Sequence, residues 1–96
     1  MKLEISKKIR DKLRDKHSVT IREVYECISN IEGDLFEDTA EEHKTNPPSV
    51  WFIAPTDRGR MLKVVIVPVP DEGKIYLKTA FDAKIKHIEL YNNLNS

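Results

Sequence analysis

The chain has 96 residues, 40% hydrophobic and 33% charged, with 16 Lys/Arg against 16 Asp/Glu. That length holds a single domain over residues 1–96, burying roughly 60–70% of its unfolded surface, with no room for a cofactor domain beside a substrate domain. Zero net charge excludes a strongly basic nucleic-acid binder, a lone cysteine excludes an internal disulfide, and the longest apolar run, around Val64 and Val67, is too short to cross a bilayer.

The charge is unevenly spread. Residues 1–24 carry eight Lys/Arg and four Asp/Glu (+4), residues 25–50 one and seven (−6), and residues 51–96 seven and five (+2). The basic start leaves room for a local cationic surface, and the acidic middle for a solvated loop or a protein contact. The charged N-terminus lacks the apolar core of a signal peptide. Cys27 adjoins an apolar helical stripe, as a buried, inert thiol would. Together these features imply a cytoplasmic protein without a membrane segment.

Ser6 is placed to cap a first helix over residues 7–16, with Ile5, Ile9 and Leu13 on one narrow face. His17, Ser18 and Val19 form a break. Thr20 and Glu23 then have the spacing of a capping box, and Val19 and Val24 that of a hydrophobic staple. Ile21, Val24, Tyr25 and Ile28 continue the second helix, which Gly33 is expected to stop.

Leu35 to Asp38 reads as a short strand, followed by a polar, acidic loop to Asn46 and a turn at Pro47-Pro48. A strand over residues 49–55 places Trp51 and Ile53 on one face and Val50, Phe52 and Ala54 on the other. Thr56-Asp57-Arg58-Gly59 is the hairpin turn, with Gly59 at positive φ. A nearly all-apolar strand over 60–67 is ended by Pro68 and Pro70, and Asp71-Glu72-Gly73 turns into an alternating strand over 74–81. A helix over 83–94 closes the chain, with Ile85, Ile88 and Tyr91 on a shared face. The predicted class is α+β, in the order α-α-β-β-β-β-α, an antiparallel meander with helices packed on one face.

No Gly-rich phosphate loop, CxxC or HExxH is present, and the histidines do not assemble a metal-ligand set, so no metal and no cofactor is expected. What remains is acid–base chemistry with cations. Cleavage of RNA by its own 2′-hydroxyl needs a base, an acid for the leaving oxygen, and positive charge near the phosphorane. His43 suits proton transfer, and Arg58, Arg60, Lys63 and Lys78 suit phosphate. Strand alternation sends Arg60 and Lys63 to opposite faces, so without a bulge only one of them shares a pocket with His43. Each residue also fits a plainer role: His43 as a locally bonded loop histidine, Arg60 as a strand-end cation paired to Glu37 or Asp38, and Trp51 as core rather than a base-stacking platform.

The helical hairpin with its Lys16-His17-Ser18-Val19 break resembles the opening of BrnT-type toxins. So do the Arg58-Gly59-Arg60 hairpin leading into Leu62-Lys63-Val64-Val65-Ile66, the Lys78-Thr79-Ala80 strand end and the final amphipathic helix. BrnT toxins belong to the RelE-like superfamily of small ribonucleases, each neutralised by an antitoxin that usually binds DNA. The similarity in order spans nearly the whole chain, through short motifs, and the His43 loop lies outside that pattern. The chain is also similar to a group of short bacterial proteins that combine Asp38-Thr39, the stretch from His43 to Pro48, Trp51-Phe52-Ile53-Ala54 and the stretch from Gly59 to Lys63. Such sequences are sometimes labelled ADP-ribosyl-[dinitrogen reductase] hydrolase. Enzymes with that activity resemble large all-helical proteins with a two-metal carboxylate site, and this chain has neither the length nor the ligands.

The resemblance implies a BrnT/RelE-like domain of a toxin–antitoxin system that contacts RNA as a weak, metal-independent ribonuclease. On the chemistry of the residues rather than on the resemblance, His43 and Arg60 would be catalytic and Arg58, Lys63 and Lys78 would bind substrate; an antitoxin-like protein would be the partner. The alternative is a non-catalytic protein-binding module on the same fold, with its acidic loop meeting a basic partner.

Overall fold

The computed structural model describes residues 2–38 and 46–96. The elements are β1 (Lys2–Glu4), α1 (Lys7–Lys12) continuing into a wider π-helical turn (Leu13–His17), α2 (Ile21–Ser29), β2 (Phe36–Glu37), β3 (Val50–Pro55), β4 (Met61–Val69), a 3-10 turn (Pro70–Glu72), β5 (Lys74–Asp82) and α3 (Ile85–Leu94). The class is α+β, as the sequence pattern predicts.

The sheet is five-stranded in the order β1-β5-β4-β3-β2. Strands β2 to β5 form the expected antiparallel meander. The chain, however, opens with a strand, and β1 runs parallel to β5, with Lys2 opposite Lys74 and Glu4 opposite Tyr76. The sheet is therefore mixed. Three residues with two charges give no period to read, and it is the return of β5 to this edge that fixes them. A short, charged strand is a usual way to guard a sheet edge.

The helices do not share one face. Tyr91 of α3 packs on Trp51, ring centroids 5.5 Å apart, so α3 covers the face that presents Trp51 and Ile53. On the other face, Phe52, Ala54, Leu62 and Val64 are also fully buried, in one core with Leu13, Val24 and Cys27 of the first two helices. Arg60, two residues before Leu62 on that face, bonds Glu23 of α2, which places the α1–α2 hairpin there. A sheet buried on both sides accounts for the near-continuous apolar run in β4.

Local signals mostly act as the sequence predicts. The Ser6 hydroxyl accepts from the Ile9 amide at 3.2 Å. Thr20 Oγ1 accepts from the Glu23 amide at 3.1 Å, and Glu23 Oε1 from the Thr20 amide at 3.0 Å, completing the capping box. Gly59 and Gly73 have φ of 88° and 65°, the left-handed region their turns require. Cys27 is buried, its thiol donates to the Ala54 carbonyl at 3.3 Å, and burial pushes its pKa up to about 11. Such a thiol is chemically quiet at neutral pH.

Four details differ. α2 ends at Ser29 with Asn30 as its cap rather than at Gly33, and the Asn30 side-chain Nδ2 donates across to the Pro55 carbonyl and to Asp57 Oδ1, both at 3.0 Å. Gly33 serves close packing instead: a Cβ there would lie 2.6 Å from the Tyr91 hydroxyl. β4 runs through Pro68 to Val69. Its pairing with β3 ends at Ile66, so the missing Pro68 N–H faces no strand on that side. Ile85 is 75% exposed rather than on the buried face of α3.

Candidate functional site

At the start of β4, Arg60 ties together three parts of the chain. Its Nε and Nη2 donate to the two Asp82 oxygens at 2.7 and 3.0 Å, a fork matched to a carboxylate. Nη1 lies 3.2 Å from both Glu23 oxygens and 2.8 Å from the Ser18 carbonyl, and Nη2 donates to the His17 carbonyl at 3.2 Å. The local backbone explains the carbonyls. The π turn ends at Ser18 in the left-handed conformation, φ 52°, and carbonyls at a helix end lack intrahelical partners. Arg60 takes up two of them and docks the α1–α2 break on the end of β4 and β5.

The charges respond accordingly. The Asp82 carboxylate, chiefly through its Arg60 hydrogen bond, sits below its ordinary value. Burial pushes Glu23 upward, but the Thr20 amide and Arg60 outweigh it and hold it low. Arg60 is raised, first through Asp82. The Glu37 or Asp38 pairing open to Arg60 in the sequence gives way to Glu23 and Asp82, which only the fold brings near.

The other expected site residues are dispersed. His43 lies outside the described residues. Arg58 is at the exposed tip of the β3–β4 turn, on the rim of a shallow cleft with Arg22, Glu26 and Asp57. Lys63 lies on the α3 face, its Nζ 4.7 Å from the Trp51 ring centroid. Lys78 is the extra residue of a bulge, between Leu77, which faces Ile66, and Thr79, which faces Val65. That bulge is not between residues 60 and 63, so the pleat keeps Arg60 and Lys63 on opposite faces as alternation predicts.

The structure also assembles a group that sequence reasoning left scattered. Phe81 is followed in β5 by Asp82 but faces the other side of the sheet, opposite Lys63. The His17 ring lies 5.7 Å from the Phe81 ring, and the His87 ring 6.1 Å from it, centroid to centroid. All three are partly exposed. Burial first, then Lys12 and Lys16, hold His17 below its ordinary pKa, against a smaller opposing pull from Asp82. Burial, then Lys63, Lys86 and Lys84, do the same for His87. His87 Nδ1 accepts the Lys84 amide at 3.2 Å, so in the neutral ring the proton sits on Nε2. Seventy residues separate the two imidazoles, and the only sequence signal for their meeting is the alternation that turns Phe81 toward α3.

Among the described residues, no group of three or more His, Cys, Asp or Glu could hold a metal ion, and no helix is long and apolar enough to cross a membrane. The described residues thus form an α+β domain with a mixed sheet, a guanidinium saturated by carboxylates and carbonyls, and a cationic ring surface. No family model matches the chain, and neither a curated protein nor a solved structure does.

Proposed function

We propose that this chain is a toxin-related domain of the BrnT/RelE-like kind that contacts RNA and cleaves it weakly without a metal ion, and that an antitoxin-like protein is its partner. The observation that carries the RNA contact is the concentration of cations on α1 and its π turn. Lys7, Lys8, Arg10, Lys12, Arg14 and Lys16 occupy this one short rod. Lys7 and Arg14 pair with Asp11 and Asp15, whereas Lys8, Lys12 and Lys16 have no ion pair among the described residues. A neutral protein with its charge sorted this way attracts a polyanion to one side.

In this reading Arg58, Lys63 and Lys78 hold phosphate and His43 moves a proton. Arg60 contributes through position, since Glu23 and Asp82 already neutralise its guanidinium. The test is incubation of purified protein with RNA in the presence of a chelator, following products that end in a 2′,3′-cyclic phosphate. The expected result is slow cleavage, lost in His43→Ala. Equal cleavage by the variant removes His43 from the chemistry, and none by the wild type removes the ribonuclease activity.

The second reading, a non-catalytic protein-binding module, is favoured by α3. There Ile85, Leu90 and Leu94 are 75%, 50% and 47% exposed, apolar area of the kind that partner proteins cover. Recovery of a protein partner without RNA from a host lysate, together with absent cleavage, supports it.

A further inference from the structure

Of the charged surfaces and cavities on this molecule, the ring cluster on β5 combines the most features that call for one kind of ligand. We infer that the surface formed by His17, Phe81 and His87, flanked by Lys63, Lys84 and Lys86, is where this domain takes single-stranded RNA, with an unstacked base on the rings and the neighbouring phosphates on the lysines. The inference rests on the RNA reading above and gives it a location.

Three observations meet there. First, Phe81 lies between two imidazoles at 5.7 and 6.1 Å, their planes turned 39° and 69° from its own, an angled cluster in which a base can lie on one ring face with the others at its rim. Stacking on such a surface tolerates any base, because every base has a π face. Second, β1 pairs with β5 only from Lys74 to Tyr76. Among the described residues, the outer edge of β5 at Phe81 therefore carries no strand, and the π turn that brings His17 to Phe81 borders it instead. Third, Lys63 lies opposite Phe81 in the β4–β5 register, Lys84 and Lys86 lie within three residues of His87 at the start of α3, and none of the three lysines has an ion pair among the described residues. With its Nδ1 occupied by the Lys84 amide, His87 keeps an Nε2–H to donate to a phosphate oxygen.

The ring geometry also selects among anions. An acidic protein segment would satisfy the lysines and leave the rings without a counterpart. A duplex keeps its bases stacked inside and offers the rings nothing to lie against. A single strand uses both.

The experiment is fluorescence anisotropy of the whole protein with a labelled oligouridylate across a salt series, with polyglutamate as competitor. Phe81→Leu should weaken binding about ten-fold, the loss of one stacked base. The paired Lys84→Gln, Lys86→Gln variant should flatten the slope of log affinity against log salt by about 0.7 per lysine. Tyr25→Leu, at an exposed aromatic of α2 (49%), should bind as wild type does. The surface lysine pair keeps the test decisive if a thermal melt shows Phe81→Leu unfolded. Wild-type binding that neither set of variants changes moves the contact elsewhere and overturns this assignment while leaving the RNA reading standing. Polyglutamate that displaces RNA charge for charge, with Phe81→Leu without effect, also overturns it. A wild type that binds no RNA at low salt overturns the RNA reading and this inference with it.

Discussion

Arg60 with Asp82, and Lys63 with Phe81, occupy the same end of β4 and β5, yet the two faces treat charge in opposite ways. On the α1–α2 side, one guanidinium meets two carboxylates and two carbonyls, and its donors are taken up. On the α3 side, imidazoles and lysines gather around a ring, and among the described residues no carboxylate is bonded to them. Asp82 and Phe81 are consecutive, so the pleat alone separates the regions. A cation in a sequence motif is thus no guide to whether it is available. Arg60 sits in the most recognisable motif of the chain and is the most fully engaged cation described, while Lys84 and Lys86 sit in no motif at all.

The largest test of that contrast is Arg60→Ala. It leaves Glu23, with its side chain only 23% exposed, with no cation and only its Thr20 bonds, and it removes the guanidinium donor of two helix-end carbonyls. Asp82 is 67% exposed, so water replaces that half of the bond cheaply. We expect a loss of about 2–3 kcal/mol in urea unfolding, mostly from the Glu23 side. Arg60→Lys should recover only part, because an ammonium cannot reproduce the fork. A loss below about 0.5 kcal/mol would remove the structural role given to Arg60.

The pH dependence should separate the two faces by sign-consistent but distinct windows. Glu23 and Asp82 are held below their ordinary values. The stability they contribute is present above the unfolded value of about 4 and disappears as pH falls through the lower folded values. Wild type should therefore lose stability below about pH 4, and Arg60→Ala should lose less there. His17 and His87 are also held low, His17 among Lys12, Lys16 and Asp82, and His87 among Lys63, Lys84 and Lys86. Below the ordinary value of about 6.5 the unfolded chain takes protons that the folded one resists, so stability falls as pH drops from 7 toward 5. His17→Gln combined with His87→Gln should flatten that window only. A profile as steep as wild type would mean the rings titrate normally.

The smallest effect is expected on the lysines. Lys84→Gln with Lys86→Gln should change stability by less than about 0.5 kcal/mol, since neither makes an ion pair among the described residues. A larger loss would show that this side, like the other, uses its charge to hold the fold.

The parts of the fold legible in the sequence are those governed by neighbours in the chain. The Ser6 cap, the Thr20–Glu23 box and the glycines at 59 and 73 each depend on a few adjacent residues, and each forms as its pattern predicts. The alternation of β3 and β4 likewise separates Arg60 from Lys63 without reference to anything distant. β1 was not legible, because three residues carry no period, and the placement of helices on both faces was not, because an apolar run in β4 shows burial without saying what covers each side.

The same division holds for the candidate site. Residue types fixed that imidazole, guanidinium and ammonium are the groups on hand, and alternation fixed which of them share a face. Only the tertiary structure brought Glu23 and Asp82 to Arg60, and His17 and His87 to Phe81. Those encounters join elements tens of residues apart, and they depend on how the α1–α2 break and α3 dock on opposite faces of one sheet. A local pattern sets the direction of a side chain, whereas the packing of distant elements determines what it meets.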